Sequence, residues 1–193
     1  MADLNGKNVL IISTEFGTEQ AEIETPRDFL LAAGASVTVA TPDGGTIQTV
    51  ISDRDPADQV SADTTIADVA DSDFDALVVP GGTVNADTLR QDKDAVALAR
   101  RFATAGKPIA AICHAPWLLV EAGLTIGKTL TSFPSLRSDL NNAGATWVDR
   151  EVVADDTNGF TLITSRNPDD LDAFDSTLAE TLEKAGAAAG SGR

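Results

Sequence analysis

Lys107-Pro108-Ile109-Ala110-Ala111-Ile112-Cys113-His114-Ala115-Pro116-Trp117-Leu118-Leu119-Val120-Glu121-Ala122-Gly123 is the stretch on which the fold turns. Ile109 to Ile112 is apolar without polar alternation, the pattern of a strand covered on both faces inside a parallel sheet. Pro116 suits the first turn of a helix, Trp117 to Val120 supply an apolar face, and Gly123 is placed to end it. Cys113 therefore falls on a sharp strand-to-helix turn. That is the geometry of a nucleophile elbow, which lifts a side chain above the sheet and predicts a depressed thiol pKa at a helix N-terminus. The chain's one cysteine and its one histidine, His114, are adjacent here. A cysteine ending a buried strand is ordinarily a small hydrophobe. The elbow, the imidazole and a Gly-Gly turn after a second buried strand point instead to a reactive thiol.

Working outward, a chain of 193 residues has the length of one well-buried α/β domain. The reading is a single domain over residues 1–185, with a small-residue tail over 186–193 expected to be mobile. The hydrophobic share of 42% and charged share of 23% are those of a globular protein, and no apolar run reaches the length of a membrane span. Met1 to Lys7 leads into a strand-like run too short for a secretory signal. With one cysteine no internal disulfide can form, which agrees with a reducing, cytoplasmic setting. A net charge of −16 argues against nucleic acid or an anionic membrane as partner, since both would be repelled by the whole field.

Asn8 to Ser13 reads as a strand and Thr14 to Thr18 as the turn after it. Glu19 to Ala33 reads as a helix that Thr18 could cap and Gly34 ends. Ser36 to Ala40 and Thr46 to Ile51 read as strands around the turn residues Pro42 to Gly45. Arg54 to Asp63 reads as surface loop and Ala67 to Asp73 as a helical turn or two. Ala76 to Val79 is a buried strand ending in Pro80-Gly81-Gly82, where consecutive glycines allow close approach of backbone to a ligand. Asp87 to Ala105 predicts one amphipathic helix, with Leu89, Val96, Leu98 and Phe102 inward. Thr129 to Phe133 predicts a strand and Leu136 to Ala143 a short helix. Thr146 to Val153 and Phe160 to Ser165 predict strands around Asp155-Asp156-Thr157-Asn158-Gly159, and Asp169 to Lys184 the last helix. Alternating strands and helices predict an open, mostly parallel sheet with helices on both faces and ligands at the carboxyl ends of the strands, where Cys113 and Gly82 both fall.

An unperturbed thiol is only a few per cent ionised at neutral pH, so a nucleophilic Cys113 needs a lowered pKa or a base. His114 is the one imidazole available, although neighbours at an elbow need not point the same way. The N–H groups of Gly82 and His114 are the expected oxyanion donors. With one His and one Cys a structural zinc is excluded in practice; no metal site is expected. No GxGxxG or Walker sequence occurs and no cofactor is called for. Trp117 and Trp147 read as core, and Arg100-Arg101 as a solvated helix face.

Four segments in order extend this reading: Glu19-Gln20-Ala21-Glu22-Ile23-Glu24-Thr25-Pro26-Arg27, Val78-Val79-Pro80-Gly81-Gly82, Ala111 to Leu119, and Ala143-Gly144-Ala145-Thr146-Trp147-Val148-Asp149. Together they resemble the PfpI/ThiJ superfamily, in its PfpI-type intracellular protease branch, over nearly the whole chain. The resemblance implies a flavodoxin-like three-layer sandwich, a nucleophilic Cys113 partnered by His114, and an acid on the first helix, matched by Glu22, that hydrogen-bonds the thiol. It further implies a homo-oligomer, dimer or hexamer, in which an acid from a neighbouring subunit completes the site. Asp87 stands at that place, one methylene shorter than the glutamate of the pattern. The implied activity is that of a cysteine-dependent hydrolase acting on a peptide or small-molecule carbonyl, with two alternatives. One is a glyoxalase or protein deglycase acting on methylglyoxal or its adducts. The other is a non-catalytic stress protein or redox sensor.

Overall fold

The computed structural model describes residues 2–190. The chain opens with β1 (Asn8–Ile12), a short β2 (Phe16–Glu19), helix α1 (Gln20–Ala32) and β3 (Ser36–Thr41). A hairpin of β4 (Ile47–Ile51) and β5 (Asp55–Val60) follows, then β6 (Thr64–Thr65), β7 (Ala76–Val79), α2 (Thr83–Leu89) and α3 (Lys93–Thr104). Next come β8 (Ile109–Ile112), α4 (Pro116–Ala122), β9 (Thr129–Leu130), α5 (Arg137–Asn142) and β10 (Thr146–Trp147). The chain closes with β11 (Val152–Asp155), β12 (Leu162–Ser165) and α6 (Leu171–Gly190).

Seven strands form the central sheet in the order β11-β12-β8-β7-β1-β3-β6. All neighbours are parallel except the β11–β12 hairpin at one edge. Leaving out the edge strands β11 and β6, the remaining five run 2-1-3-4-5 in chain order, the flavodoxin-like arrangement whose ligands sit over the strand C-termini. Strand alternation sends each strand into two cores. Leu10, Ile12, Leu77, Val79, Ile109 and Ala111 pack with α3, α4 and α5. Val9, Ile11, Ala76, Val78, Ala110 and Ile112 pack with α1 and α6. The result is the three-layer sandwich expected. Trp117 and Trp147 are partly buried against the first core, as read.

Several elements differ from the sequence reading for local reasons. The turn expected over 14–18 contains most of β2, and Thr18 does not cap α1: the helix starts one residue later with Glu19 in the cap position, and the Thr18 hydroxyl is bonded to Ser13. The expected loop over 54–63 contains β5, an outer strand with four of its six residues exposed, which pairs with β4 through the backbone. The single helix expected over 87–105 is two, because the Asp92 side chain accepts the Ala95 N–H at 2.7 Å and starts α3 afresh. The expected strands over 129–133 and 146–153 are shorter: each gives a two-residue strand, and Val152 and Val153 join β11. The expected helical turns over 67–73 shrink to one 3-10 turn, Asp71–Asp73. The last helix runs on to Gly190, past Lys184, and residues 191–193 of the expected tail lie outside the described residues.

Lys128 is fully buried before β9. Its ammonium donates to the carbonyls of Asp155 (3.1 Å), Phe160 (2.7 Å) and Thr157, lies 3.6 Å from the Asp155 carboxylate, and sits 3.9 Å over the Phe160 ring. One side chain thus ties down the connection between β11 and β12. Among the described residues no helix is long and apolar enough to cross a membrane.

Candidate active site

Strand β8 ends at Ile112, and Cys113 takes left-handed backbone, φ 63°, to reverse the chain into α4. That conformation costs a non-glycine residue about 1–3 kcal/mol, and such costs gather at functional turns. The neighbouring amides are already spent: Cys113 N–H donates to Ser165 O and Ala115 N–H to Ile112 O, each at 3.0 Å. The thiol is 5% exposed, and its sulfur stands 3.1 Å from His114 Nδ1. The imidazole is itself buried, stacked on Phe133 (centroids 4.7 Å apart) and tilted against Trp117 (5.4 Å). So the two adjacent residues do face each other.

Strand β7 delivers the second side of the site. Gly81 donates its N–H to Glu22 Oε2 at 2.8 Å. A Cβ at Gly81 would lie 2.6 Å from that oxygen, 2.7 Å from Cys113 Cβ and 2.8 Å from Ile112 O, so no larger residue fits. Gly82 has φ 85° and its N–H faces the Cys113 sulfur. The buried Asn85, in the first turn of α2, fixes this loop. Its Nδ2 donates to Pro80 O (3.1 Å) and Gly81 O (2.9 Å), while its Oδ1 accepts from the Thr14 N–H (2.8 Å) and the Thr14 hydroxyl (2.9 Å). Because the carbonyl of Gly81 and the N–H of Gly82 point opposite ways in one planar peptide, holding the first aims the second.

Glu22 comes from the first turn of α1 and is fully buried. Pro26, four residues on, lacks the N–H that would bond the Glu22 carbonyl within the helix. Burial pushes the Glu22 carboxyl up to about 8 despite the Gly81 N–H, so at neutral pH it is a protonated acid beside the thiol, with its Oε1 otherwise unpartnered. The thiol moves opposite to the expected depression. Its own burial and then the Glu22 charge push it up, against the Gly82 N–H. The short α4 gives little relief, since it starts three residues on at Pro116. Burial pushes His114 down, against the pull of Asp53, so the imidazole is neutral at pH 7 and able to accept a proton.

Glu19, Glu22, Ser52, Asp53, Cys113, Phe133, Asn167 and Pro168 line a pocket of about 300 Å³ over the sulfur. Three of these residues carry carboxyl groups and none is a cation. Of the residues expected from sequence, Cys113, His114, Glu22 and Gly82 are brought together. Asp87 is not: it is exposed on α2, and within this chain it makes no contact with His114. The sequence reading missed Asn85, buried inside a short helix where a polar residue needs partners, and Asp53 and Thr83, which only the folded chain brings to the imidazole.

The family model described as the DJ-1/PfpI family matches residues 7–181. The chain belongs to the DJ-1/PfpI family. General stress protein 18 of Bacillus subtilis (strain 168) is 40% identical to this family member over 179 residues, 93% of this chain and 99% of that protein. Protein/nucleic acid deglycase 2 of Escherichia coli (strain K12) is 39% identical over 171 residues, 89% of this chain and 94% of that one. Among solved structures, Drosophila melanogaster DJ-1beta superposes with a TM-score of 0.80 at 36% identity, covering 91% of this chain and 90% of its own. The DJ-1/PfpI fold, with its sheet, its helices and the elbow after β8, is thus the one this chain adopts.

Proposed function

We propose that this DJ-1/PfpI protein is a cysteine-dependent hydrolase in which Cys113 attacks a carbonyl carbon. The observation that carries the reading is the 3.1 Å contact between the thiol sulfur and Nδ1 of a neutral, buried imidazole. A thiol whose pKa is pushed up holds little preformed thiolate, so the proton leaves as the bond forms, and His114 is the base within reach. The amides of Gly82 and His114 are the donors for the developing oxyanion. Neutral Glu22 supports the sulfur from below and can give a proton but, below about pH 8, no repelling charge. No cofactor enters this scheme.

A second reading, deglycation of carbonyl adducts on amino or guanidino groups, is favoured by the pocket itself. Its volume suits one modified side chain better than a length of polypeptide, and its carboxyl lining suits a cationic carrier. Turnover of a methylglyoxal-modified arginine peptide and of an unmodified fluorogenic peptide decides between the two. Both activities should vanish in Cys113→Ala. Wild-type turnover of neither would leave a thiol that senses oxidation.

We place the protein in the cytoplasm, on the strength of its one free thiol, and read it as a homo-oligomer in which Asp87 borders a neighbour's site. Asp87 is exposed one turn along from Val84, itself 46% exposed, so α2 offers an apolar and an acidic group on its outer side. Mixing Cys113→Ala with Asp87→Ala under subunit exchange should recover about a quarter of wild-type activity or less, as only some mixed sites pair intact residues. Exchange without recovery would place every needed acid in the same chain.

A further inference from the structure

At the tip of the β4–β5 hairpin, Ser52 and Asp53 both take left-handed backbone, φ 55° and 59°, without being glycine. The Glu19 carboxylate holds them there by accepting both N–H groups, at 2.8 and 3.1 Å. This turn carries the Asp53 carboxylate to the first residue of α2. Oδ1 accepts the Thr83 N–H at 2.6 Å, and Oδ2 accepts from the Thr83 hydroxyl at 3.0 Å. A hydroxyl has one proton to give. With that proton bound to a carboxylate, Thr83 Oγ1 presents only lone pairs to His114 Nε2, 3.4 Å away. The distance is long, as catalytic contacts often are before substrate binds. Ser135 Oγ, 3.3 Å from the same nitrogen, can adapt as donor or acceptor and does not oppose the choice. Nε2 therefore carries the ring hydrogen, and Nδ1, facing the sulfur at 3.1 Å, keeps the free pair that a base requires.

We propose that Asp53, acting through Thr83, is a positioning residue that fixes the tautomer of His114 and so makes Nδ1 the group that takes the Cys113 proton. The consequence for turnover rests on the hydrolase reading; the tautomer does not. In the step itself the S–H bond breaks and its proton passes to Nδ1. The sulfur electron pair forms the bond to the carbonyl carbon, and the carbonyl π pair moves to oxygen. The imidazolium then holds a proton on each nitrogen, with Nε2–H directed at Thr83 and the Asp53 charge behind it. When the tetrahedral adduct collapses, Nδ1 returns its proton to the leaving nitrogen. The orienting acid is thus supplied within one chain, and a neighbour's Asp87 would meet the imidazole from outside this pair.

The one histidine gives a single imidazole signal set, so long-range proton–nitrogen correlation of uniformly nitrogen-15-labelled protein at pH 7.5 reads the tautomer directly. The wild type should show a protonated Nε2 and an unprotonated Nδ1. In Asp53→Asn the amide replaces one carboxylate oxygen and donates to Thr83 Oγ1, which frees the threonine proton to turn toward Nε2. The Nδ1–H form should then grow, and turnover of whichever carbonyl substrate the wild type accepts should fall about 10²-fold. Thr83→Ala should give mixed tautomers, and Thr83→Ser should restore both the spectrum and turnover to within about threefold. Asp87→Asn should leave the Nε2–H tautomer in place. Unchanged imidazole signals in both Asp53→Asn and Thr83→Ala, with backbone spectra showing the fold intact, overturn the proposal, as does a wild type in the Nδ1–H form. A tautomer that responds as described in a protein that turns over nothing supports the proposal and sinks the hydrolase reading alone.

Discussion

Glu22 and Cys113 share a proton balance, and its sign decides what a charge-removing change does. Burial holds Glu22 neutral until about pH 8. Above that pH its carboxylate stands beside the sulfur and opposes ionisation of a thiol already pushed up by its own burial. Glutamine at position 22 keeps an oxygen for the Gly81 N–H but never acquires the charge. Iodoacetamide should therefore alkylate Glu22→Gln about tenfold faster than wild type at pH 9, one pKa unit being worth a factor of ten in thiolate. At pH 6, where both side chains are neutral, the rates should agree. Equal rates at both pH values would mean that the sulfur does not feel the carboxylate.

At the scale of elements, the loop after β7 is held by a helix residue. Asn85→Asp is nearly isosteric but loses the Nδ2 donor that pins the Gly81 carbonyl, so the Gly82 N–H should lose its aim. Turnover is expected to fall about 10²-fold, the cost of one oxyanion donor, in a protein that still folds. Asn85→Ala also orphans two carbonyls and the Thr14 N–H and should lower stability by about 2–4 kcal/mol in denaturant titration. Kinetics unchanged in both variants would reduce Asn85 to a packing residue. Strands β7 and β8 and their turns were legible in the sequence because burial on both faces leaves an unbroken apolar run and an ending in glycine or cysteine. Strand β5 was not. Asp55-Pro56-Ala57-Asp58-Gln59-Val60 has the composition of a loop, and what makes it a strand is its backbone ladder to β4, which sequence pattern does not record. The same gap hid Asp53. Its distance to Thr83 is set by a hairpin tip meeting a helix start thirty positions later, whereas Cys113, His114 and Glu22 stand in segments with their own signatures.

Across the whole molecule, two buried acids set the alkaline side of the stability curve. Asp175 on α6 is 3% exposed with Oδ1 unpaired, and burial pushes it up to about 7; Glu22 reaches about 8. Both bind protons more tightly folded than unfolded. Their contributions are complete below the ordinary carboxyl range and are lost as pH rises through 7 and 8. For Asp175 alone the loss is at most on the order of 4 kcal/mol. On the acid side, burial raises Asp170 but the Arg166 guanidinium more than offsets it, so that pair weakens when pH falls below the ordinary carboxyl range. Stability should peak near pH 4–5 and decline toward pH 8.5. Asp175→Asn should flatten the decline and melt above wild type at pH 8.5. A wild-type melting temperature level between pH 5.5 and 8.5 would contradict the reading.

Lys128, tied to three carbonyls beneath the β11–β12 connection, has a further use as a clock. An acylating reagent or a dicarbonyl meets the exposed Lys184 at once, but it can reach the Lys128 nitrogen only after that connection has opened and its carbonyl bonds have broken. The ratio of the two labelling rates under native conditions is therefore the population of the opened form. Read by peptide mass analysis, it gives the local opening free energy of this edge of the sheet without unfolding the rest.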